Sequence, residues 1–163
     1  MQPHPNVRAL QDALDAAGAR DAAGRPSQVR ILPEAAPTAA AAAEQLGVEV
    51  GQIANSLVFD ADGAPLLVLT SGAHRVDTAR VAKEHDIGKV RRANPDFVRE
   101  HTGQVIGGVA PIHPGRPAMR TLVDTALFAF AEVWAAGGIP HAVFPITPTE
   151  LERLTGGTVT DVA

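Results

Sequence analysis

Apolar positions near the start of the chain recur at helical spacing. Val7, Leu10, Leu14 and Ala17 form one stripe, which predicts a helix from about Val7 to Ala17. Asn6 is its expected N-cap and Gly18 its C′ residue. A polar, turn-rich stretch follows, then a short strand over Gln28–Leu32 and a connector bracketed by Pro33 and Pro37. Thr38 caps a second helix through Leu46, closed by Gly47. The alanine run Ala39–Ala43 inside it reads as high helix propensity with close packing. After a turn at Val50–Ile53 the pattern changes to strand. Asn55–Phe59, the turn Asp60-Ala-Asp-Gly63 and the returning Leu66–Thr70 make the clearest β element of the chain.

Further on, Asp77 caps a helix over Thr78–His85, and Lys89–Ala93 is a short strand candidate. Asn94-Pro95 pairs a cap with proline at the first helical position and opens a helix to His101, ended by Gly103. Met119–Val123, Glu132–Ala136 and His141–Ile146 are strand candidates, with a short helix near Thr125–Phe130. Thr147-Pro-Thr-Glu150 is a capping box that starts a last helix to Leu154, and Gly156-Gly157 leads to a terminal strand. Strands outnumber helices and do not alternate strictly with them. The expectation is an α+β fold: a mixed, strongly curved or barrel-like β-sheet flanked by helices. Residues 1–163 are expected to form a single domain, without internal repeats or a dividing linker.

Composition fits that picture. Hydrophobic residues are 45% of the chain and charged residues 20%, enough for a real core. Only 4% is aromatic, with one Trp and no Tyr, so aliphatic side chains must fill the core. The absence of Cys excludes disulfides, thiol catalysis and cysteine metal sites, and is consistent with a reducing, cytoplasmic location. No run is long and apolar enough for a membrane span, and the N-terminus has neither the basic nor the apolar region of a signal peptide. The net charge is -4, yet seven of the fourteen Lys and Arg residues fall between Arg75 and Arg99, where the local balance is +3. That segment reads either as a footprint for phosphate or as a solvated surface, and charge alone favours the surface.

The chain lacks a nucleophile elbow, a phosphate loop, a zinc-protease helix motif and a dinucleotide fingerprint. Its six His residues show no metal-ligand spacing, and nothing pairs Ser27, Ser56 or Ser71 with His74 as a triad. A zinc or hydrolytic metal site is therefore not expected. Gly107-Gly-Val-Ala-Pro111 stands out. Two adjacent glycines open backbone angles closed to other residues and let a ligand approach main-chain N–H groups, while Pro111 stiffens the exit. Such a loop binds an oxyanion or carbonyl, or is a plain turn between strands. Thr70-Ser71-Gly72, at a strand end, offers two hydroxyls; a simple turn is its blander and favoured reading.

Several short stretches, in this order and spacing, make the chain resemble the YbaK/ProX family, the free-standing relatives of the editing domain of bacterial prolyl-tRNA synthetase. They are Leu46–Ala54, Ser56–Phe59, Leu67–Gly72, Arg75-Val-Asp77, Thr102-Gly103, Gly107–Pro111, Leu122-Val-Asp124 and Val143-Phe-Pro145. The resemblance runs from about Thr38 to the C-terminus. It implies a mixed β-barrel flanked by helices and an aminoacyl-tRNA deacylase, a trans-editing hydrolase that cleaves the ester of a small amino acid mischarged on tRNA, with tRNA(Pro) expected. It implies no metal or organic cofactor and places Asn55, Gly107, Gly108 and Pro111 at the reacting centre. Leu57, Thr70, Ser71, Arg75, Asp77, Val109 and Ala110 are its substrate-binding candidates. Implied partners are the aminoacyl-tRNA acceptor end, its small amino-acid moiety and, transiently, a synthetase, for a monomer or weak homodimer.

The sequence departs from the family pattern twice. A characteristic lysine belongs where Asn55 stands; a lysine there supplies a cation, whereas Asn supplies a neutral amide. Arg75 and Arg80 are candidates to replace it. His113 stands where the family has Gly, and reads as a surface residue in preference to an improvised acid or base. The Asn55 departure keeps two alternatives open: a non-catalytic protein that binds tRNA ends or nucleotides, and a hydrolase of another small acyl ester.

Overall fold

The computed structural model describes residues 3–163. Helix α1 runs Pro5–Ala17 and ends at Gly18, whose φ of 66° is the left-handed geometry that glycine adopts at low cost. Its cap is His4, whose side chain accepts from the Asn6 N–H, not Asn6 itself. Pro5 explains the shift: its fixed φ suits the first helical turn, so the helix begins two residues earlier. Asn6 is thereby freed, and its side-chain amide donates to the Gly138 carbonyl at 3.3 Å.

Strand β1 (Arg30–Ile31) is shorter than expected. Helix α2 (Ala39–Leu46) lies between Thr38 and Gly47 as its sequence signals dictate. A 3₁₀ turn over Val50–Gln52 delivers the chain into β2 (Ile53–Ala61), which pairs antiparallel with β3 (Ala64–Ser71). Both strands are longer than their apolar runs suggested. Ala61 still pairs with Ala64, so the connection tightens to Asp62-Gly63. Positive φ at both residues (53° and 91°) is what a two-residue hairpin turn matched to the strand twist requires. Then come α3 (Thr78–Glu84), β4 (Val90–Arg92), α4 (Pro95–Thr102), β5 (Arg120–Asp124), a 3₁₀ turn over Thr125–Ala129, β6 (Val133–Ala136), β7 (Ala142–Ile146), α5 (Pro148–Thr155) and β8 (Thr158–Thr160).

The eight strands form one mixed sheet in the order β1-β7-β6-β2-β3-β5-β8, with β4 attached to β2. The β2/β6, β3/β5 and β5/β8 pairs are parallel and the rest antiparallel. The fold is therefore α+β with a mixed sheet, as expected. Alternation along β3 divides the core between two faces. Leu67 and Leu69 pack with Leu10 and Leu14 of α1, Phe144 of β7 and Leu151 of α5. Leu66 and Val68 pack with Phe59, Val81 of α3 and Val90. A third cluster seats Ala42 and Ala43 of α2 on Ile53, Trp134 and Val143. The small alanine face brings α2 close to the sheet, beside the outer edge of β2. Among the described residues no helix is long and apolar enough to cross a membrane.

Candidate functional site

β2 is the spine of the site. One edge is paired with β3 from Ala54 to Ala61. The other edge is shared: β6 takes Ile53 and Ala54, and β4 takes Phe59 to Ala61. Residues 55–58 lie between these two partners. A cleft of about 400 Å³ opens there, lined without interruption by residues 53–59. Thr38, the cap of α2, lines it as well, as do Ala39 and Ala42 of that helix, Ala135 and Ala136 of β6, and Ile106, Gly107 and Val109 of the loop after α4.

Two hydrogen bonds fix the phase of the β2 backbone. The Gly72 N–H donates to the Ile53 carbonyl at 2.7 Å across the β3 edge, and the Asp62 N–H donates to the Lys89 carbonyl at 3.1 Å across the other. Backbone groups of alternate residues point the same way. Asn55 and Leu57 therefore direct their N–H and C=O at β3, and Ser56, in the gap, directs its own into the cleft. Side chains alternate too. Asn55, Leu57 and Phe59 share one face and all three line the cleft. The Ser56 hydroxyl, on the opposite face, is buried without a hydrogen-bond partner.

The loop after α4 is held from inside. The Thr102 hydroxyl donates to the Val98 carbonyl at 2.7 Å and accepts from the Gln104 N–H at 3.0 Å; the buried Gln104 carbonyl oxygen Oε1 accepts from the Ala110 N–H at 2.8 Å. Gln104 was invisible as a site residue because nothing local marks a lone glutamine as a loop anchor. Within this frame the Gly108 N–H closes a four-residue turn on the Val105 carbonyl at 2.9 Å, with Gly107 at its third position and φ of 91°. The two glycines answer different demands. A Cβ on Gly107 would meet nothing, so conformation alone requires glycine there. A Cβ on Gly108 would lie 2.6 Å from the Ile139 carbonyl carbon and 2.8 Å from the Pro140 nitrogen, so close backbone approach requires it. Ile106, Gly107 and Val109 reach the cleft, whereas the buried Gly108, Ala110 and Pro111 brace the loop from behind.

The remaining residues expected at the site lie elsewhere. Thr70 and Ser71 are buried around Asp124, which is fully buried itself. Its Oδ2 accepts from the Ser71 N–H at 3.0 Å and the Thr70 hydroxyl at 3.3 Å, and contacts His74 Nδ1 at 3.0 Å. The Ser71 hydroxyl donates to the Gly51 carbonyl at 2.9 Å. Both hydroxyls thus tie the end of β3 to neighbouring turns. Asp77 caps α3 by accepting from the Arg80 N–H at 3.0 Å. Arg75 is exposed and absent from the cleft wall. Arg80, the other suggested substitute for the lysine, is engaged with Glu84 and Asp161. Among the described residues, the one charged residue on the cleft wall is Arg92, which the sequence offered no reason to single out from its neighbours.

His113 departs from the surface reading. Burial holds its imidazole below the usual histidine range, a contact with the Ala110 backbone opposes that shift, and the nearby Arg116 charge adds to it. Its Nε2 is buried without a partner, and the residue does not line the cleft. Among the described residues no group of three His, Asp or Glu side chains could hold a metal ion.

Residues 33–154 match the model of the aminoacyl-tRNA editing domain family. The uncharacterised protein YwhH of Bacillus subtilis is 30% identical over 132 residues, 80% of this chain and 83% of its own length. The proline–tRNA ligase of Xanthomonas campestris is 30% identical over 127 residues; these are 78% of this chain and 22% of the ligase, so the chain spans only a minor part of that enzyme. A crystal structure described as that of a candidate trans-editing enzyme for prolyl-tRNA synthetase superposes with a TM-score of 0.88 at 40% identity, covering 99% of this chain and 98% of the other.

Proposed function

The chain belongs to the aminoacyl-tRNA editing domain family, and from that premise we propose that it hydrolyses the ester joining a small amino acid to the 3′ end of a mischarged tRNA, tRNA(Pro) foremost. The observation that carries this reading is the meeting of Asn55, the Ser56 backbone and Gly107 in one cleft. Its wall is otherwise almost wholly uncharged, which suits a small apolar acyl group. The likeness to a proline–tRNA ligase and to a candidate trans-editing enzyme for its synthetase supports both the tRNA and a passing encounter with that synthetase.

Among the described residues the cleft wall offers no carboxylate and no imidazole, so its chemistry rests on position. A water held against the main chain adds to the ester carbonyl carbon. The bond from the carbonyl carbon to the ribose oxygen then breaks, with the proton delivered to that departing oxygen, leaving a free amino acid and an intact tRNA end. The groups available to steady the developing oxyanion are backbone N–H groups and the neutral Asn55 amide. One well-aimed donor of this kind contributes about 3 kcal/mol, or about a hundredfold in rate. The substrate's own neighbouring hydroxyl is the natural proton carrier.

The test is single-turnover deacylation of a panel of mischarged tRNAs that includes Ala-tRNA(Pro) and Cys-tRNA(Pro). Wild type should hydrolyse at least one small aminoacyl ester well above the spontaneous rate, and Asn55→Lys should raise both affinity and turnover by restoring a cation. No hydrolysis of any member by either protein would overturn the reading. The neutral Asn55 itself favours a second one: a protein that binds the tRNA end without turning it over, for which Asn55→Lys raises affinity alone.

A further inference from the structure

Arg92 lines the cleft and bears its one charge. Register explains why it, and not its neighbours, arrives there. Arg92 stands opposite Phe59, and Arg91 opposite Asp60. Directly opposed residues on paired strands share a face. Arg92 therefore emerges on the face of Phe59, Leu57 and Asn55, and Arg91 on the other. The ion pairs among the described residues use Arg25, His74, Arg80 and Arg153, so the Arg92 guanidinium is uncommitted. Phe59 lies four residues from Asn55, about 13 Å along the strand. That is too far for Arg92 to stand in for a lysine at position 55, and a suitable offset for a group one step removed from the ester. Ile106, 57% exposed, adds an apolar surface at the same cleft, on the turn that holds Gly107.

We propose that Arg92 is the phosphate-binding residue of the cleft, gripping the phosphodiester of the terminal nucleotide, while Ile106 supports its base. This rests on the tRNA end being the ligand, though not on its being hydrolysed. The planar guanidinium matches a phosphate with two parallel N–H···O bonds, which a lysine cannot reproduce. The acidic chain thus needs no broad basic field: one uncommitted cation in an uncharged cleft selects a single phosphate.

The chain's single Trp, Trp134, also lines the cleft and reports on occupancy. The experiment is a Trp134 fluorescence titration of the full chain with a single-stranded RNA ending in CCA, at several salt concentrations, for wild type, Arg92→Gln, Arg92→Lys and Arg91→Gln. Arg92→Gln should weaken binding about tenfold and reduce the slope of log K against log salt by about 0.7, the loss of one single-strand phosphate contact. Arg92→Lys should restore the slope and part of the affinity, and Arg91→Gln should change neither by more than about twofold. Absence of binding by wild type, an unchanged slope in Arg92→Gln, or equal losses in Arg91→Gln and Arg92→Gln would overturn the proposal. If wild type deacylates no tRNA but Arg92→Gln still loses affinity and slope, the hydrolase reading falls and the phosphate site stands.

Discussion

The paired glycines at 107 and 108 make opposite demands on a substituted side chain. Gly107→Ala places its methyl group in open space but at φ of 91°, at a cost of about 1–2 kcal/mol from the left-handed backbone alone. Gly108→Ala drives a methyl group into the Ile139–Pro140 backbone, which no rotamer relieves. We expect Gly107→Ala to keep the fold with a modest fall in melting temperature. Gly108→Ala should push the loop off its support, with a larger thermal loss and deacylation falling about a hundredfold or more. Thermal melts beside single-turnover rates check this; equal effects of the two changes would contradict it. The sequence made the pair legible as a special loop. The family resemblance set Gly108 at the reacting centre beside Gly107, whereas a side chain at Gly108 would lie against the Ile139–Pro140 backbone. Which glycine serves conformation and which serves proximity depends on a turn some thirty residues away.

Caps and turns at the level of elements were readable because their chemistry is local. Thr38, Asp77, Asn94 and Thr147 each cap the helix that follows. The split outer edge of β2 was not readable, because β6 joins it from about eighty residues further along the chain. Nor was the task of α1. Its Asn6 amide holds the Gly138 carbonyl, in the same short connection from β6 to β7 whose Ile139 and Pro140 back Gly108. Helix α1, outside the matched residues 33–154, thereby steadies the loop that carries Gly107. Asn6→Ala should cost about 0.5–1.5 kcal/mol. Amide hydrogen exchange should quicken at residues 138–142 and, through them, at residues 105–110. Exchange that is unchanged in the second segment would show that the brace stops at the turn.

Across the whole molecule, the expected mixed fold follows from strand-rich periodicity and agrees with a close structural relative, while the meeting of distant side chains had to be seen. Arg92 is the clear case, indistinguishable from Arg91 until β4 is paired. Global stability carries a second trace of tertiary packing in His113. Its folded-state titration lies below the ordinary value of about 6.5 because burial disfavours the cation. The unfolded chain therefore takes up the proton first as pH falls. Stability is complete above about pH 6.5 and declines as pH drops from there to the folded-state value. Melting temperature measured from pH 7.5 to 5 should fall less steeply for His113→Gln than for wild type. Parallel pH profiles would rule this contribution out.

The interrupted edge of β2 has one more consequence, for solubility. Unpaired strand edges invite other chains to add on, and proteins usually blunt them with charge, proline or a bulge. Here the unpaired stretch is four residues long and closed at each end by a resident strand. A typical strand of five or six residues does not fit between β6 and β4. An opening of this length is large enough for the small acyl group proposed as substrate but too short for an added strand, so the chain keeps bare backbone groups at its cleft without offering a template for aggregation.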